Sequence, residues 1–280
     1  MLSINDITFA YQKEEPLISQ LNLELIEGKI YGLLGLNGAG KTTLLNIITG
    51  MLFPKNGSCL LNGYDVRERQ PEVMRQLFIV PEQFELPALT GKHFVKLNKP
   101  FYPKFNETQL HDILAVFEAD SDKKLSELSF GQRKKFMIAF SIATNTQLLI
   151  FDEPTNGLDI PSKSQFRKTI ASLEADSRSI VISTHQVRDI GTMLDHMMVL
   201  KDGSIVFNQE LARINEHLSF KKIKTDSTED YIYGEEVLGG IEAIFPAGID
   251  SDSDIDLELL FNGIIQKTTQ INKAFEELNS

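Results

Sequence analysis

The chain has 280 residues, of which 42% are hydrophobic and 24% charged, as expected for a globular protein of one large domain with a small appendage, or of two domains. Its net charge of −11 disfavours a nucleic-acid partner, because acidic proteins are repelled by nucleic-acid phosphates. The single Cys59 excludes an intramolecular disulfide, and no apolar run reaches the length that predicts a membrane span, so any spanning helices are expected from a separate chain.

The first half of the chain has the pattern of strands, a glycine-rich turn and then helices. Alternating apolar and polar residues at the start predict antiparallel strands. Residues 30–34 are apolar and lead into the glycine-rich turn, and residues 42–49 have a helical pattern. From about residue 85 to 127 the pattern is again helical, with Asn106 or Thr108 placed to cap a helix inside it.

The second half alternates helices with apolar strands. A helix is predicted to start at Ser129, and two apolar runs, at residues 148–151 and 180–183, flank a further helical stretch. This strand-helix-strand order predicts a parallel sheet. Asp202-Gly203, between two further apolar runs, predicts a hairpin turn.

The composition changes after residue 217, where acidic residues become frequent and the glycine-rich motifs stop. We therefore predict one domain over residues 1–217 and a small accessory region over residues 218–280. Residues 250–254 begin like a calcium-binding loop, but the later positions that need glycine and glutamate carry isoleucine and phenylalanine. A solvated turn is the better interpretation, with Asp254 or Asp256 capping a following helix.

A glycine-rich segment matches the phosphate-loop pattern G-x-x-x-x-G-K-[ST] between the predicted strand and helix. Its glycines let backbone N–H groups turn towards phosphate oxygens, and the helix N-terminus that follows adds a positive dipole end. Lys41 would supply charge to the β- and γ-phosphates, and the Thr42 hydroxyl could ligate Mg²⁺. We predict that ATP is bound by Gly35, Leu36, Asn37, Gly38, Ala39, Gly40, Lys41, Thr42 and Thr43.

Two carboxylates, Asp152 and Glu153, follow the apolar run at residues 148–151. A strand that ends there would place Asp152 at the carboxyl edge of the sheet, where it can hold Mg²⁺. Glu153 would then be placed to accept a proton from an attacking water molecule. Taken alone, the same pattern is common for a buried strand that ends in a solvated turn, and the metal and base roles are predicted only because the phosphate loop is also present.

The segment Leu128-Ser129-Phe130-Gly131-Gln132, together with the two preceding motifs in this order, resembles the ATP-binding-cassette family of transporter ATPases over about residues 1–215. The signature of that family usually has glycine where Phe130 stands. In the family, the signature serine and glycine bind the γ-phosphate of ATP held by a facing subunit. The resemblance implies that Ser129, Gly131 and Gln132 contribute to ATP binding in this way, although LSFGQ by itself is also a helix cap.

Further positions match the family by resemblance. Tyr11 is similar to the aromatic residue that stacks on adenine, and Asp159 lies in a segment similar to the loop that links the two sites of a dimer. His185 is similar to the histidine that contacts the γ-phosphate, and its implied role is catalytic, like that of Glu153. The glutamine that meets Mg²⁺ in the family falls on Glu82 or, one residue later, on Gln83, and the sequence leaves this choice open.

The resemblance implies an α/β fold: a P-loop NTPase (RecA-like) core, an N-terminal antiparallel β subdomain, an inserted helical subdomain at about residues 85–135, and a small C-terminal α+β extension. It implies an ATPase with ATP and Mg²⁺ as cofactors, which powers a separate transmembrane permease by ATP-driven closure of a dimer. The second ATP-binding subunit would be another copy or a close homologue.

The implied location is cytoplasmic, peripheral on the inner face of the cell membrane. The separate permease and the segment VPEQFELPALTG favour the exporter-like branch of the family. The alternative is a soluble ABC-class ATPase in translation or DNA maintenance, which a single uninterrupted cassette and a negative net charge disfavour.

Overall fold

The computed structural model describes residues 1–12, 15–173, 178–247 and 254–276. Most of the segment that begins like a calcium loop, residues 250–253, lies outside these ranges. Three sheets and the helices between them make up the described chain.

In chain order the strands are β1 (Leu2–Phe9), β2 (Ile18–Leu25), β3 (Ile30–Leu34), β4 (Asn56–Leu61), β5 (Tyr64–Asp65), β6 (Leu77–Val80), β7 (Leu148–Asp152), β8 (Ser179–Thr184), β9 (His196–Lys201), β10 (Ser204–Glu210), β11 (Leu218–Ile223), β12 (Tyr233–Val237) and β13 (Gly240–Pro246). The helices are α1 (Lys41–Ile48), α2 (Pro71–Met74), α3 (Gly91–Asn98), α4 (Glu107–Val116), α5 (Phe130–Ala143), α6 (Ile160–Ala171), α7 (Leu211–His217) and α8 (Leu257–Glu276).

The central sheet has six strands in the order β10-β9-β3-β8-β7-β6, and all neighbours except β10 and β9 pair in parallel. Its middle strands are buried on both faces, which is why they appear in the sequence as continuous apolar runs. In β7, Leu148 and Ile150 pack in one core cluster, whereas Leu149 and Phe151 pack in the other. The parallel strands bring their carboxyl ends to one edge, where the predicted site residues follow them.

The first core cluster lies between the central sheet, α1 and an antiparallel sheet of order β2-β1-β4-β5. The second lies on the other face, where helices cover the sheet. The helices α3, α4, α5 and α6 have side-chain caps: at α4, Asn106 accepts a hydrogen bond from the Gln109 N–H, and at α5, Ser129 accepts one from the Gln132 N–H. Asn106, rather than Thr108, is thus the cap of α4.

The chain after α7 forms an antiparallel sheet of order β11-β13-β12, against which α8 packs. The predicted helix near residue 257 is present, and Asp256 is its cap, since its Oδ1 accepts hydrogen bonds from the N–H groups of Glu258 and Leu259. The helix approaches the sheet closely at Gly263, where a Cβ would lie 3.0 Å from the Ile244 side chain. No helix in the described ranges combines the length and apolarity needed to cross a bilayer.

Cys59 on β4 is 1% exposed, and burial raises the pKa of its thiol to about 12. The thiolate is the reactive form of cysteine, so we expect the native protein to resist a thiol reagent at pH 8. The measurement is the rate of reaction with an aromatic disulfide reagent, with and without denaturant. Rapid labelling of the native chain would show that β4 opens readily, whereas labelling only after unfolding is the expected result.

Candidate active site

The phosphate loop lies between β3 and α1, at the carboxyl edge of the central sheet. Gly38 and Gly40 have φ angles of 81° and 103°, in the left-handed region that favours glycine. Lys41 is only 7% exposed, and its Nζ donates hydrogen bonds to the carbonyl oxygens of Gly35 (2.8 Å) and Leu36 (3.3 Å). The carbonyl groups of the loop therefore hold the Lys41 ammonium close to the N-terminus of α1. A positive charge next to a helix N-terminus suits the binding of a phosphate group.

Asp152 ends β7 and is held from two sides. The register of β7 with β8 sets it opposite Ser183, and the Ser183 hydroxyl donates a hydrogen bond to its Oδ1. Its Oδ2 accepts a hydrogen bond from the Thr42 hydroxyl at 2.7 Å. The predicted metal residues Thr42 and Asp152 thus lie in direct contact, although 110 positions separate them in the chain.

Glu153 follows with a φ angle of 46°, a backbone conformation that is uncommon for a residue other than glycine. Its carboxylate is buried and accepts hydrogen bonds from the Thr184 hydroxyl (3.1 Å) and from a ring nitrogen of His185, Nδ1 (2.8 Å). The Lys41 Nζ lies 3.7 Å from the same carboxylate. The two predicted catalytic residues and the phosphate-loop lysine therefore meet at one carboxylate.

A cavity of about 440 Å³ opens in front of this carboxylate. It is lined by the phosphate loop together with Leu17, Glu82, Glu153 and His185. Gln83 lines a different cavity, beside Phe130 and Arg133. Of the two candidates that the sequence left open, the geometry favours Glu82, because Glu82 lines the cavity of the phosphate loop and Gln83 does not.

Tyr11 lies two residues beyond the end of β1, and its hydroxyl shares a hydrogen bond of 3.1 Å with the Thr43 hydroxyl. The Tyr11 ring makes an edge-to-face contact with the Phe9 ring, at a centroid distance of 4.9 Å and an interplanar angle of 90°. The Tyr11 side chain is nevertheless 46% exposed. It is tethered next to the phosphate loop with ring surface available for a nucleotide base.

Four residues predicted to bind ATP do not line the cavity of the phosphate loop as the structure describes it. They are Ser129, Gly131 and Gln132 of the signature segment, and Asp159. Ser129 and Gln132 form a reciprocal capping box at the start of α5. Asp159 caps α6 by accepting a hydrogen bond from the Ser162 N–H. Hydrogen bonding from Ser162, by its side chain first and by its backbone N–H second, lowers the pKa of the Asp159 carboxyl. Within one chain, these four residues are separated from the phosphate loop.

Phe130, the departure from the usual signature, packs within its own chain. A Cβ added at Gly157 would lie only 2.8 Å from a carbon of the Phe130 ring. The Phe130 ring also lies next to the Phe84 ring, at a centroid distance of 6.2 Å. Gly157 has a φ angle of 79°, so glycine is required there both by conformation and by the ring. The phenylalanine thus joins the start of α5 to the loop of residues 156–159.

The donors at the sheet edge fit Mg²⁺. This ion prefers oxygen ligands, and at nucleotide sites it is bound through one or two carboxylates and the phosphates of the substrate. Thr42 and Asp152 supply a hydroxyl and a carboxylate in contact, and Glu82 supplies a further carboxylate on the cavity wall. In the described ranges no group of three or more His, Cys, Asp or Glu residues is placed to hold a metal ion.

Sequence reasoning missed several contacts of this site. Ser183 and Thr184 hold the two carboxylates, and they could have been found because they directly precede His185 on the strand next to β7. Asn156 was also missed: its Nδ2 donates a hydrogen bond to Glu82 at 3.0 Å. No local pattern marks that contact, which joins segments 74 positions apart.

Comparison with known proteins places this geometry in a family. A family model described as "ABC transporter" matches residues 18–156. The ABC transporter ATP-binding protein YtrB of Bacillus subtilis is 30% identical over 201 residues, covering 71% of this chain and 68% of YtrB. This chain belongs to the ATP-binding proteins of ABC transporters. The Nod factor export ATP-binding protein I of Cupriavidus metallidurans is 28% identical over 233 residues, covering 79% of this chain and 73% of that protein.

Among solved structures, the ATP-binding subunit of an ABC transporter superposes with a TM-score of 0.69 at 25% identity, covering 77% of this chain and 92% of that one. The predicted fold class, a P-loop core with an antiparallel β subdomain, is confirmed. The chain is an ABC-type ATPase, the ATP-binding and ATP-hydrolysing subunit of a transporter. The alternative of a soluble ABC-class ATPase in translation or DNA maintenance receives no support from these relatives.

Proposed function

We propose that two copies of this ABC ATPase, or one copy and a close homologue, close around ATP and Mg²⁺ and drive a separate permease. The observation that carries the proposal is the division of the predicted site within one chain. Glu153, Lys41 and His185 meet at the cavity, whereas Ser129 and Gly131 lie outside it. Completion of the cavity by the signature segment of a second subunit would make the γ-phosphate the link between the two chains.

In this proposal each residue has a role that follows from its contacts. Lys41 leaves the loop carbonyls to bind the β- and γ-phosphates, and Glu153 orients the attacking water and accepts its proton. His185, hydrogen-bonded to that carboxylate, contacts the γ-phosphate. Tyr11 stacks on the adenine. Bound Mg²⁺, held by Thr42, Asp152 and Glu82, would neutralise charge on the phosphate oxygens.

The helical region is proposed as the part that binds the permease. It has three large apolar side chains in the open, Leu97 (51% exposed), Val116 (48%) and Phe101 (63%). Leu97 lies in α3, and Phe101 lies three residues beyond its end. Exposed apolar side chains that cluster in this way, unlike single ones, mark a surface to which another molecule binds. The chain would work on the cytoplasmic face of the membrane, where ATP is available to it.

The proposal also covers the direction of transport and the role of the C-terminal residues. Export is favoured by the similarity to a relative named for Nod factor export. Residues 218–280 are proposed as an accessory unit of the ATPase domain of residues 1–217, since they add a separate three-stranded sheet whose helix, α8, packs into the core on the helix-covered face of the central sheet.

The test compares Phe101→Asp with Tyr64→Asp, which changes an aromatic residue of similar exposure (54%) on the antiparallel sheet. The tagged full chain is purified from detergent-solubilised membranes, and its ATP turnover is measured. Wild type and Tyr64→Asp should carry a multi-spanning membrane protein in stoichiometric amount, and Phe101→Asp should lose it while keeping basal turnover. Recovery of all three without such a protein would overturn the permease proposal, and full retention by Phe101→Asp would remove this surface from it.

A further inference from the structure

Lys134 lies in α5, the helix that Ser129 caps, and its side chain points into the protein. Lys134 and Lys41 are the two buried lysines among the residues that the structure describes, at 0% and 7% exposure. Both ammonium groups contact Glu153. Lys41 lies beside its carboxylate, whereas the Lys134 Nζ donates a hydrogen bond of 2.8 Å to its backbone carbonyl.

The Lys134 ammonium also donates a hydrogen bond of 3.0 Å to the carbonyl of Asn156. It therefore closes the turn from Glu153 to Asn156, in which the Asn156 N–H donates to the Glu153 carbonyl at 3.3 Å. This turn begins with the left-handed φ angle of Glu153, a conformation that costs free energy and persists only where the surroundings hold it. Lys134 is one of the groups that hold it, and the Ser183 carbonyl, which accepts from the Glu153 N–H at 3.1 Å, is another.

This turn is also connected to Glu82 by a hydrogen bond. Asn156, whose carbonyl Lys134 binds, donates its side-chain amide to the Glu82 carboxylate. Burial lowers the pKa of Lys134 to about 8, while the negative charges of Glu82, Glu153 and Asp152 act in the opposite direction. The side chain is thus an ammonium at pH 7, close to three carboxylates of the site. Its Nζ also lies over the Phe130 ring, 5.1 Å from the ring centroid.

We propose that Lys134 is a positioning residue for ATP hydrolysis: from the signature helix, its ammonium fixes the turn that aims the Glu153 carboxylate and presents Asn156 to Glu82. This rests on the proposed role of Glu153 as the base. It ties the helix whose N-terminus would meet the ATP of the partner to the catalytic carboxylate of its own chain. A displacement of that helix would therefore shift the backbone of Glu153 through the hydrogen bond from Lys134.

The test is Lys134→Met, which keeps the length of the buried stem and removes the donor. Misplacement of a catalytic group by about 1 Å can cost on the order of 100-fold in rate, so we expect kcat to fall between about 10- and 100-fold. The dissociation constant for ATP should change less than about threefold, because Lys134 does not line the cavity. The matched control is Lys168→Met, an exposed lysine on α6, which should leave both values unchanged.

A double variant separates positioning from general destabilisation. If Lys134 acts through Glu153, adding Lys134→Met to Glu153→Gln should lower the residual turnover no further, whereas independent effects would multiply. If Lys134→Met does not fold, Lys134→Gln, whose amide keeps a donor, carries the same comparison with a smaller expected loss. Normal kcat in the folded variant, or full additivity in the double variant, would overturn the proposal. Normal turnover in Glu153→Gln alone would instead overturn the role proposed for Glu153.

Discussion

Replacing Glu153 by glutamine should reduce ATP turnover by about 100- to 10,000-fold while ATP binding is retained. Glutamine has the same shape as glutamate and can keep the contacts with Thr184 and His185, but it cannot accept a proton. ATP would therefore stay intact in the cavity and hold two copies together. The measurements are phosphate release, the dissociation constant of a fluorescent ATP analogue, and the molar mass in solution with ATP and Mg²⁺.

The matched control for this variant is Glu216→Gln, an exposed glutamate on α7 that makes the same chemical change away from the cavity. It should turn over ATP like the wild type and remain in the wild-type mass distribution. Normal turnover in Glu153→Gln would remove Glu153 from the role of base. Loss of turnover without any ATP-dependent increase in mass would leave the base role intact and contradict the closure of a dimer.

The second large effect is expected at Ser129. Ser129→Asp keeps the helix cap, because aspartate caps helices about as well as serine, but it would place a negative charge opposite the γ-phosphate of the partner site. We expect turnover to fall by about 100-fold or more, as for the loss of a hydrogen-bond donor to a transition-state charge. Ser129→Asn, a neutral cap of similar size, is the control and should retain far more activity.

Mixing the two defective variants tests whether the site is shared. In a mixed dimer of Ser129→Asp and Glu153→Gln, one composite site carries both defects and the other carries none. The mixture should therefore hydrolyse ATP faster than either variant alone, once the subunits have exchanged before ATP is added. A rate equal to the average of the two separate rates would show that each chain completes its own site.

The sequence predicted the fold class and most of the cavity because these depend on local patterns. The phosphate loop is a contiguous segment between a strand and a helix, and Asp152 and Glu153 follow a strand whose apolar run marks it as central. The choice between Glu82 and Gln83 could not be made, since it depends on which side chain faces the cavity one residue beyond Pro81.

Contacts between segments that are distant in the chain could not be predicted from the sequence, and the reason is physical. Lys134 is one of three consecutive basic residues, and such a run is usually a solvated surface. Its burial depends on how α5 packs against the turn after β7, where two carbonyls and nearby carboxylates compensate the charge. Likewise, the cap of α4 fell on Asn106 rather than Thr108 because the helix starts at Glu107, a boundary that composition alone does not fix.

The most direct test is an experimental structure of full-length Glu153→Gln with ATP and Mg²⁺. The shared-site account expects the Ser129 hydroxyl and the Gly131 N–H of one copy to lie about 3 Å from γ-phosphate oxygens of the nucleotide that is bound by Lys41 of the other copy. A structure in which every bound triphosphate is remote from both residues, in every copy, would contradict it.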